Sequence, residues 1–189
     1  MHHRSPAHLL RRARLAITAA AGLGLLLTPA LAQETKTDNK KQTAPTQVTT
    51  TTTTFNNWTV VCSRTAEQKS ANCGASYRVV NTQNQSVLLV WLFGRNAKGD
   101  KMTEFRTLTD VLIEPGVGIA LEEGDPLRAS YVSCATSGCQ ASLALDDDAI
   151  ERLRTTKSAT VSMTRLDGKE VQFKMDVAGM GAALKALGF

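Results

Sequence analysis

Four cysteines in two close pairs, set behind a cleavable export signal, most constrain what this chain can fold into. Cys62 and Cys73 form one pair, and Cys134 and Cys139 form the other. Exported domains meet an oxidising compartment, where thiols at such spacings become disulfides. Three pairings of four cysteines are possible, and proximity along the chain favours the two local ones. The gaps are longer than the two residues common in catalytic dithiols, so we interpret all four as structural.

Residues 1–32 have the features of a signal peptide. Its basic start contains four arginines: Arg4, Arg11, Arg12 and Arg14. The apolar stretch at 15–27 is shorter than the roughly 20 residues that span a bilayer, and A-L-A at 30–32 supplies a small-x-small cleavage pattern. We expect a periplasmic or secreted protein with no stable transmembrane segment after cleavage. An uncleaved N-terminal anchor is the alternative.

The predicted signal also carries most of the net positive charge of the sequence. The chain has 22 basic and 17 acidic residues, and removing the four signal arginines leaves 18 basic residues, a net charge of +1. This near-neutral balance lacks the electrostatic footprint of nucleic-acid binding. The three histidines, His2, His3 and His8, also lie in the signal. We therefore predict that the mature protein is not an enzyme, uses no metal or cofactor and binds no nucleic acid.

Residues 33–54 have no apolar periodicity and end in an unbroken threonine run at 49–54. Such a composition buries too little apolar surface to offset chain ordering, which costs roughly 1–2 kcal/mol per residue. We predict a disordered, threonine-rich tether over 33–54. The following residues, 55–189, have the usual size of one domain.

The domain reads as a series of short β signals. The predicted strands are 58–62, 74–81, 86–93, 108–113, 117–121, 127–134, 139–145, 159–166 and 169–177. The 86–93 segment is almost wholly apolar, which favours a central strand covered on both faces. Apolar residues at helical spacing predict short helices after Asp146-Asp147-Asp148 and over 180–187. The fold class is all-β: an antiparallel β-sandwich or flattened barrel with two short helices and two local disulfides.

Several short motifs follow one another in a definite order. They are W-T-V-V-C at 58–62, Cys73, P-G-V-G at 115–118, Cys134-x4-Cys139 with Gly138, and the ending D-G-K-E-V-Q-F-K-M-D-V-A-G-M-G-A-A-L-K-A-L at 167–187. In order and spacing they resemble the invasion-associated locus B family, although Gly179-Met180 stands where that family usually has Gly-Phe. The resemblance implies an exported protein of Gram-negative bacteria with a compact β-rich domain and two local disulfides. It brings no catalytic residues, and the four cysteines are its structural positions.

Acidic residues in turns are the candidates for chemistry: Glu114, Glu122, Glu123 and Asp125. Two carboxylates about 5–5.5 or 6.5–9.5 Å apart catalyse glycoside hydrolysis, so an envelope glycan hydrolase is the alternative function. Solvated turn acids are the simpler interpretation. Asp146, Asp147 and Asp148 offer oxygens to calcium, but they lack the alternating pattern and glycine of a calcium loop. Helix capping explains them better.

The remaining candidates belong to binding rather than catalysis. Trp58, Trp91 and Tyr131 can stack on sugars or peptide, but strands this apolar favour core positions. Near the first helix end, three basic residues can meet anionic lipid or the negative end of the helix dipole, which we prefer: Arg152, Arg154 and Lys157. The prediction is a non-catalytic interaction protein, linked to envelope function or host-cell invasion, whose partner is an unknown envelope or host protein.

Overall fold

The computed structural model describes residues 47–189. The predicted signal peptide and residues 33–46 of the predicted tether lie outside them. The ten strands are β1 (Val48–Phe55), β2 (Trp58–Thr65), β3 (Asn72–Val80), β4 (Val87–Arg95), β5 (Lys101–Thr107), β6 (Val117–Leu121), β7 (Leu127–Ala135), β8 (Gly138–Ala144), β9 (Ser158–Thr164) and β10 (Glu170–Asp176). The two helices are α1 (Asp147–Thr155) and α2 (Met180–Ala186).

The strands form one antiparallel sheet in the order β1-β2-β3-β4-β5-β8-β7-β6-β9-β10. Strand β7 joins its two parts: residues 127–129 pair with β6, and residues 130–135 pair with β8. The register shifts between Tyr131 and Ser133, and such bulges let a strand bend from one layer into another. The sheet stays open, with β1 and β10 as its edges. The predicted all-β class, two helices and two local disulfides are confirmed.

An aromatic cluster fills the core between the two parts of the sheet. Trp58, Trp91 and Phe105 are fully buried. The ring centroids of Trp58 and Trp91 lie 5.6 Å apart, and those of Trp91 and Phe105 lie 5.2 Å apart. The indole N–H of Trp91 donates to the Thr103 hydroxyl at 2.7 Å, so the buried donor is satisfied. The core interpretation of both tryptophans is confirmed.

Both predicted helices are present, although α1 begins at Asp147, within the aspartate run, and α2 ends at Ala186. Asp146 precedes α1, and its carboxylate accepts the Ala149 N–H at 2.8 Å, as an N-cap does. Helix α1 buries Ile150 and Leu153, and α2 buries Met180, Ala183 and Leu184. Within the described part of the chain, no helix is both long and apolar enough to cross a membrane.

The predicted disorder over 33–54 is wrong for its last part. Residues 48–54 belong to β1, which pairs with β2 along its whole length through a two-residue turn at Asn56-Asn57. Threonine is β-branched and favours strands, and the adjoining β2 supplies the backbone partners that an isolated threonine run lacks. Asn56 takes a positive φ of 51°, a conformation that asparagine tolerates better than most residues.

The predicted strand at 108–113 is also wrong. The strand in this region is β5, and residues 108–113 form a loop with an isolated bridge between Val111 and Arg165. The sequence pattern did not reveal β5 because Glu104 and Arg106 on its outer face interrupt the apolar residues, although Thr103 and Phe105 are buried in alternation with them.

Strand β4 is central, but it is not covered on both faces. Leu89, Trp91 and Phe93 are buried in the core, whereas Val90 and Leu92 on the other face are half-buried. The helices do not cover that outer face of the sheet because α1 and α2 pack with each other and on the core side.

Both disulfides join residues that lie directly opposite each other on neighbouring strands. Cys62 pairs with Cys73 across β2 and β3, and Cys134 pairs with Cys139 across β7 and β8. Each pair has a Cα–Cα separation of 4.0 Å. This short distance is typical of the non-hydrogen-bonded type of antiparallel pair, about 4.5 Å, rather than the hydrogen-bonded type, about 5.5 Å.

Candidate interaction surface

Glu122 is the most engaged of the acids that the sequence singles out. Its carboxylate accepts the Lys157 backbone N–H at 2.9 Å and the Ser158 hydroxyl at 3.1 Å. The Lys157 N–H is the main cause of a lowered Glu122 pKa, and the hydroxyls of Ser158 and Thr156 lower it further. Glu122 therefore joins the end of β6 to the segment between α1 and β9, and it is held in its charged form.

The loop after Glu122 wraps around Arg152 of α1. The guanidinium donates to the backbone carbonyls of Glu123 at 3.0 Å and Asp125 at 2.6 Å. Gly124 lies so close to this guanidinium that an added Cβ would stand 2.6 Å from its carbon. Arg152 is thus a structural centre for the loop rather than a free basic residue. Arg152 is one of the three basic residues predicted near the helix end, and its side chain binds this loop.

A cavity of about 160 Å³ lies beside this loop. Glu122, Glu123 and Arg152 are among its lining residues, so the structure brings together two of the four acids proposed as a glycosidase pair. Glycoside hydrolysis needs one carboxyl group held protonated as the general acid. The lowered pKa of Glu122 does not suit the general acid of such a pair, which leaves only the role of the ionised carboxylate to this residue.

Two further candidates, Asp147 and Tyr131, contact other side chains of the domain. Asp147 forms an ion pair with Lys101 at 3.0 Å, and no group of three or more metal-ligating side chains is assembled within residues 47–189. Tyr131 is half-buried, and its hydroxyl lies 3.3 Å from the Thr107 hydroxyl. Burial is the main cause of a raised Tyr131 pKa.

Four exposed apolar side chains lie around the β5–β6 loop. Leu108, Leu112 and Ile113 belong to this loop, and Leu166 lies in the β9–β10 turn. Backbone bonds from Leu112 to Thr164 and from Leu166 to Asp110, at 2.8 and 3.0 Å, hold the two segments together. Single exposed apolar residues are common on protein surfaces, and this group is small.

An uncharged surface lies across β1, β2 and β3, on the face turned away from the core. We call it the hydroxyl face, and the pairing of the three strands arranges it in three rows: Thr54–Thr59–Ser76, Thr52–Val61–Gly74 and Thr50–Ser63–Asn72. Every member is uncharged, and most carry a hydroxyl or an amide. Thr59, Val61 and Ser76 also line a shallow depression of about 380 Å³.

The hydroxyl face ends at β1, which is an edge of the sheet. Residues 48–54 are exposed on both faces of this strand, because it extends beyond the core. We call its side turned away from β2 the open edge. Within residues 47–189, no strand pairs there. Sequence reasoning missed this surface, although the turn residues Asn56-Asn57 between two β-branched runs are a signal for a hairpin.

Comparisons with known proteins agree with this architecture. The family model described as "Invasion associated locus B (IalB) protein" matches residues 58–188. Among solved structures, the crystal structure of invasion associated protein B from Bartonella henselae is similar, with a TM-score of 0.61 and 22% sequence identity. The alignment covers 72% of this chain and 95% of that one. It shows that the two proteins share a fold. No curated protein matches the chain significantly.

Proposed function

This chain belongs to the invasion-associated locus B family, and from that premise we propose that it is an exported, non-catalytic interaction protein of the bacterial envelope. The observation that carries the proposal is the open edge of β1 together with the hydroxyl face. An edge strand presents unpaired N–H and C=O groups, which bind an added strand from a partner. The proposed partner is therefore a protein that contributes an extended segment.

The difference between the two edges of the sheet supports this proposal. Strand β10 carries Glu170, Lys174 and Asp176 at exposed positions, and charged residues protect edge strands from unwanted pairing. Strand β1 contains no charged residue. One edge is thus protected in the usual way and the other is left able to pair.

Export is part of the proposal and has its own support. The two disulfides of the domain suit an oxidising compartment outside the cytoplasm, and the sequence pattern at 1–32 predicts a signal peptide. We propose a periplasmic or secreted location. Fractionation of the native organism, with a protein of known location in each fraction, tests it.

The engagement of Glu122 supports a non-catalytic role over the alternative of a glycan hydrolase. Its carboxylate is occupied by donors from the segment after α1, and its lowered pKa does not suit a general acid. An assay with peptidoglycan and envelope polysaccharides separates the two functions. Product release by the wild-type protein that disappears in Glu122→Gln and Glu123→Gln would favour the hydrolase.

Site-specific photocrosslinking in the native organism tests the interaction role. A benzoylphenylalanine replaces Thr52 on the open edge in one strain and Gln172 on the charged edge strand β10 in another. We expect the Thr52 probe to give discrete crosslinked products that the Gln172 probe lacks. Equal labelling at the two positions, or none at Thr52, would contradict the proposal.

Host-cell invasion is the narrower form of the same proposal and is supported by the name of the family. A deletion strain and a strain complemented with a Thr52→Lys variant are compared in a host-cell uptake assay. Reduced uptake in both strains is expected if the open edge acts in invasion. Normal uptake with altered envelope behaviour would assign the interaction to the bacterium itself.

A further inference from the structure

The orientation of the backbone along β1 follows from two independent features. In a two-residue hairpin the residues flanking the turn form a hydrogen-bonded pair, so Phe55 directs its N–H and C=O towards Trp58. Because this direction alternates along a strand, Thr53 and Thr51 also face β2. The groups of Thr54, Thr52 and Thr50 then point to the open edge.

The Cys62–Cys73 bridge gives the same orientation. Its short Cα–Cα separation, 4.0 Å, indicates a non-hydrogen-bonded pair between β2 and β3. The backbone groups of Cys62 therefore point the other way, to its β1 partner Thr51. Thr52, the next residue, must face outward.

The threonine run makes this edge complementary to itself. A two-fold axis perpendicular to the sheet, midway between the two paired strands and level with Thr52, would place Thr52 opposite its own copy and Thr50 opposite Thr54 of a second copy. Shifting the register by two residues still opposes threonine to threonine, because residues 49–54 are identical. No like charges meet, since β1 has none. Closed two-fold pairing of this kind is the commonest symmetry of soluble oligomers.

We propose that the occupant of the open edge is a second copy of this chain, paired antiparallel through β1; this inference rests on the proposed function and names the partner of the same surface. The pairing would extend the hydroxyl face across the axis and join the two sheets into one. Stable interfaces use roughly 20–30 residues a side, and β1 offers eight. The dimer is therefore reversible and depends on protein concentration.

Sedimentation velocity over a concentration series of the purified mature protein tests the association. We expect the average mass to rise from monomer towards dimer. Thr52→Pro removes an outward N–H while leaving the bonds to β2, and Thr52→Lys adds a charge; each should weaken the dimer at least about tenfold. Gln172→Lys, the matched control on β10, should dimerise as the wild type does. A wild-type protein that remains monomeric throughout, or a Gln172→Lys variant that loses the dimer equally, would overturn the inference.

Hydrogen exchange at single-amide resolution locates the contact. The amides of Thr50, Thr52 and Thr54 should become protected as concentration rises, whereas those of Thr51 and Thr53 should be protected at every concentration. Association with no such alternation would mean that another surface forms the dimer. A monomeric protein that still crosslinks to a different envelope protein through position 52 would refute self-pairing and leave the proposed function standing. A protein that dimerises through β1 but crosslinks to no other envelope protein would support self-pairing and refute binding of a different envelope protein at this edge.

Discussion

The indole N–H of Trp58 donates a hydrogen bond to the backbone carbonyl of Val177 at 3.3 Å. Trp58 begins β2, near one edge of the sheet, and Val177 directly follows β10, the strand at the other edge. Both residues are fully buried. The contact therefore brings the two ends of an open sheet together around one core without any pairing between β1 and β10.

Trp58→Phe should lower the free energy of unfolding by about 2–4 kcal/mol. The substitution leaves a buried carbonyl without its donor and opens space beside Tyr77 and Phe93, whose rings lie 5.4 and 5.3 Å from that of Trp58. Urea unfolding followed by circular dichroism measures the change. Tyr131→Phe is the control: it removes a hydroxyl from a half-buried ring and should cost less than about 1 kcal/mol. Equal costs would show that the Trp58 contact does not hold the sheet ends together.

Gly179→Ala should be among the more damaging small substitutions. Gly179 precedes α2 with a φ of 91°, and an added Cβ would stand 2.8 Å from the carbonyl carbon of Phe55. Both the left-handed conformation and the contact with the β1–β2 hairpin oppose alanine, at a combined cost of about 2–4 kcal/mol.

Gly168→Ala separates these two causes. Gly168 also has a positive φ, 78°, but an added Cβ there would have no heavy atom within 4 Å. Only the conformational cost of about 1–2 kcal/mol should remain. If both variants lose the same stability in urea unfolding, close approach to Phe55 plays no part.

Helix α1 and the two disulfides could be predicted from the sequence because each depends on residues that are close together along the chain. Ile150 and Leu153 marked the buried side of α1, the aspartates at 146–148 marked its start, and the close cysteine spacing favoured the observed bridges. Composition misled over 48–54, because β1 is ordered by its pairing with β2 and not by burial of its own side chains. Long-range pairing of that kind leaves little trace in the composition of the segment itself.

The candidate surface was less predictable than the fold. Glu122 was selected as a turn acid, but its partners come from residues 157 and 158, which only the packing of α1 brings near. The open edge depends on the strand order of the whole sheet, and no motif at 48–55 encodes which side of a strand remains unpaired. Conversely, the burial of both tryptophans followed from the apolar character of their own strands.

Removing either disulfide should destabilise the domain, and the longer loop should matter more. The bridges span sequence separations of 11 for Cys62–Cys73 and 5 for Cys134–Cys139. Loop-closure entropy gives about 3 kcal/mol for the first and about 2 kcal/mol for the second. Double alanine variants of each pair, compared by urea unfolding under non-reducing conditions, measure the two losses. A larger loss for the Cys134–Cys139 variant would mean that packing around Cys139, which is buried, outweighs chain entropy.

Glu122 should make the stability of the domain depend on acid pH. Its folded pKa is lowered below the ordinary value of 4.5, chiefly by the Lys157 N–H, so the unfolded chain binds the proton more readily. The stabilisation is therefore complete above about pH 4.5 and is lost as the pH falls through the lower, folded pKa. Glu122→Gln removes this contribution, so the difference in unfolding free energy between wild type and variant should shrink over that acid range. Glu123→Gln is the matched control, since Glu123 contributes its backbone carbonyl to Arg152. A wild-type-to-variant difference that stays constant down to pH 2 would contradict the role of the Glu122 carboxylate in joining β6 to the segment after α1.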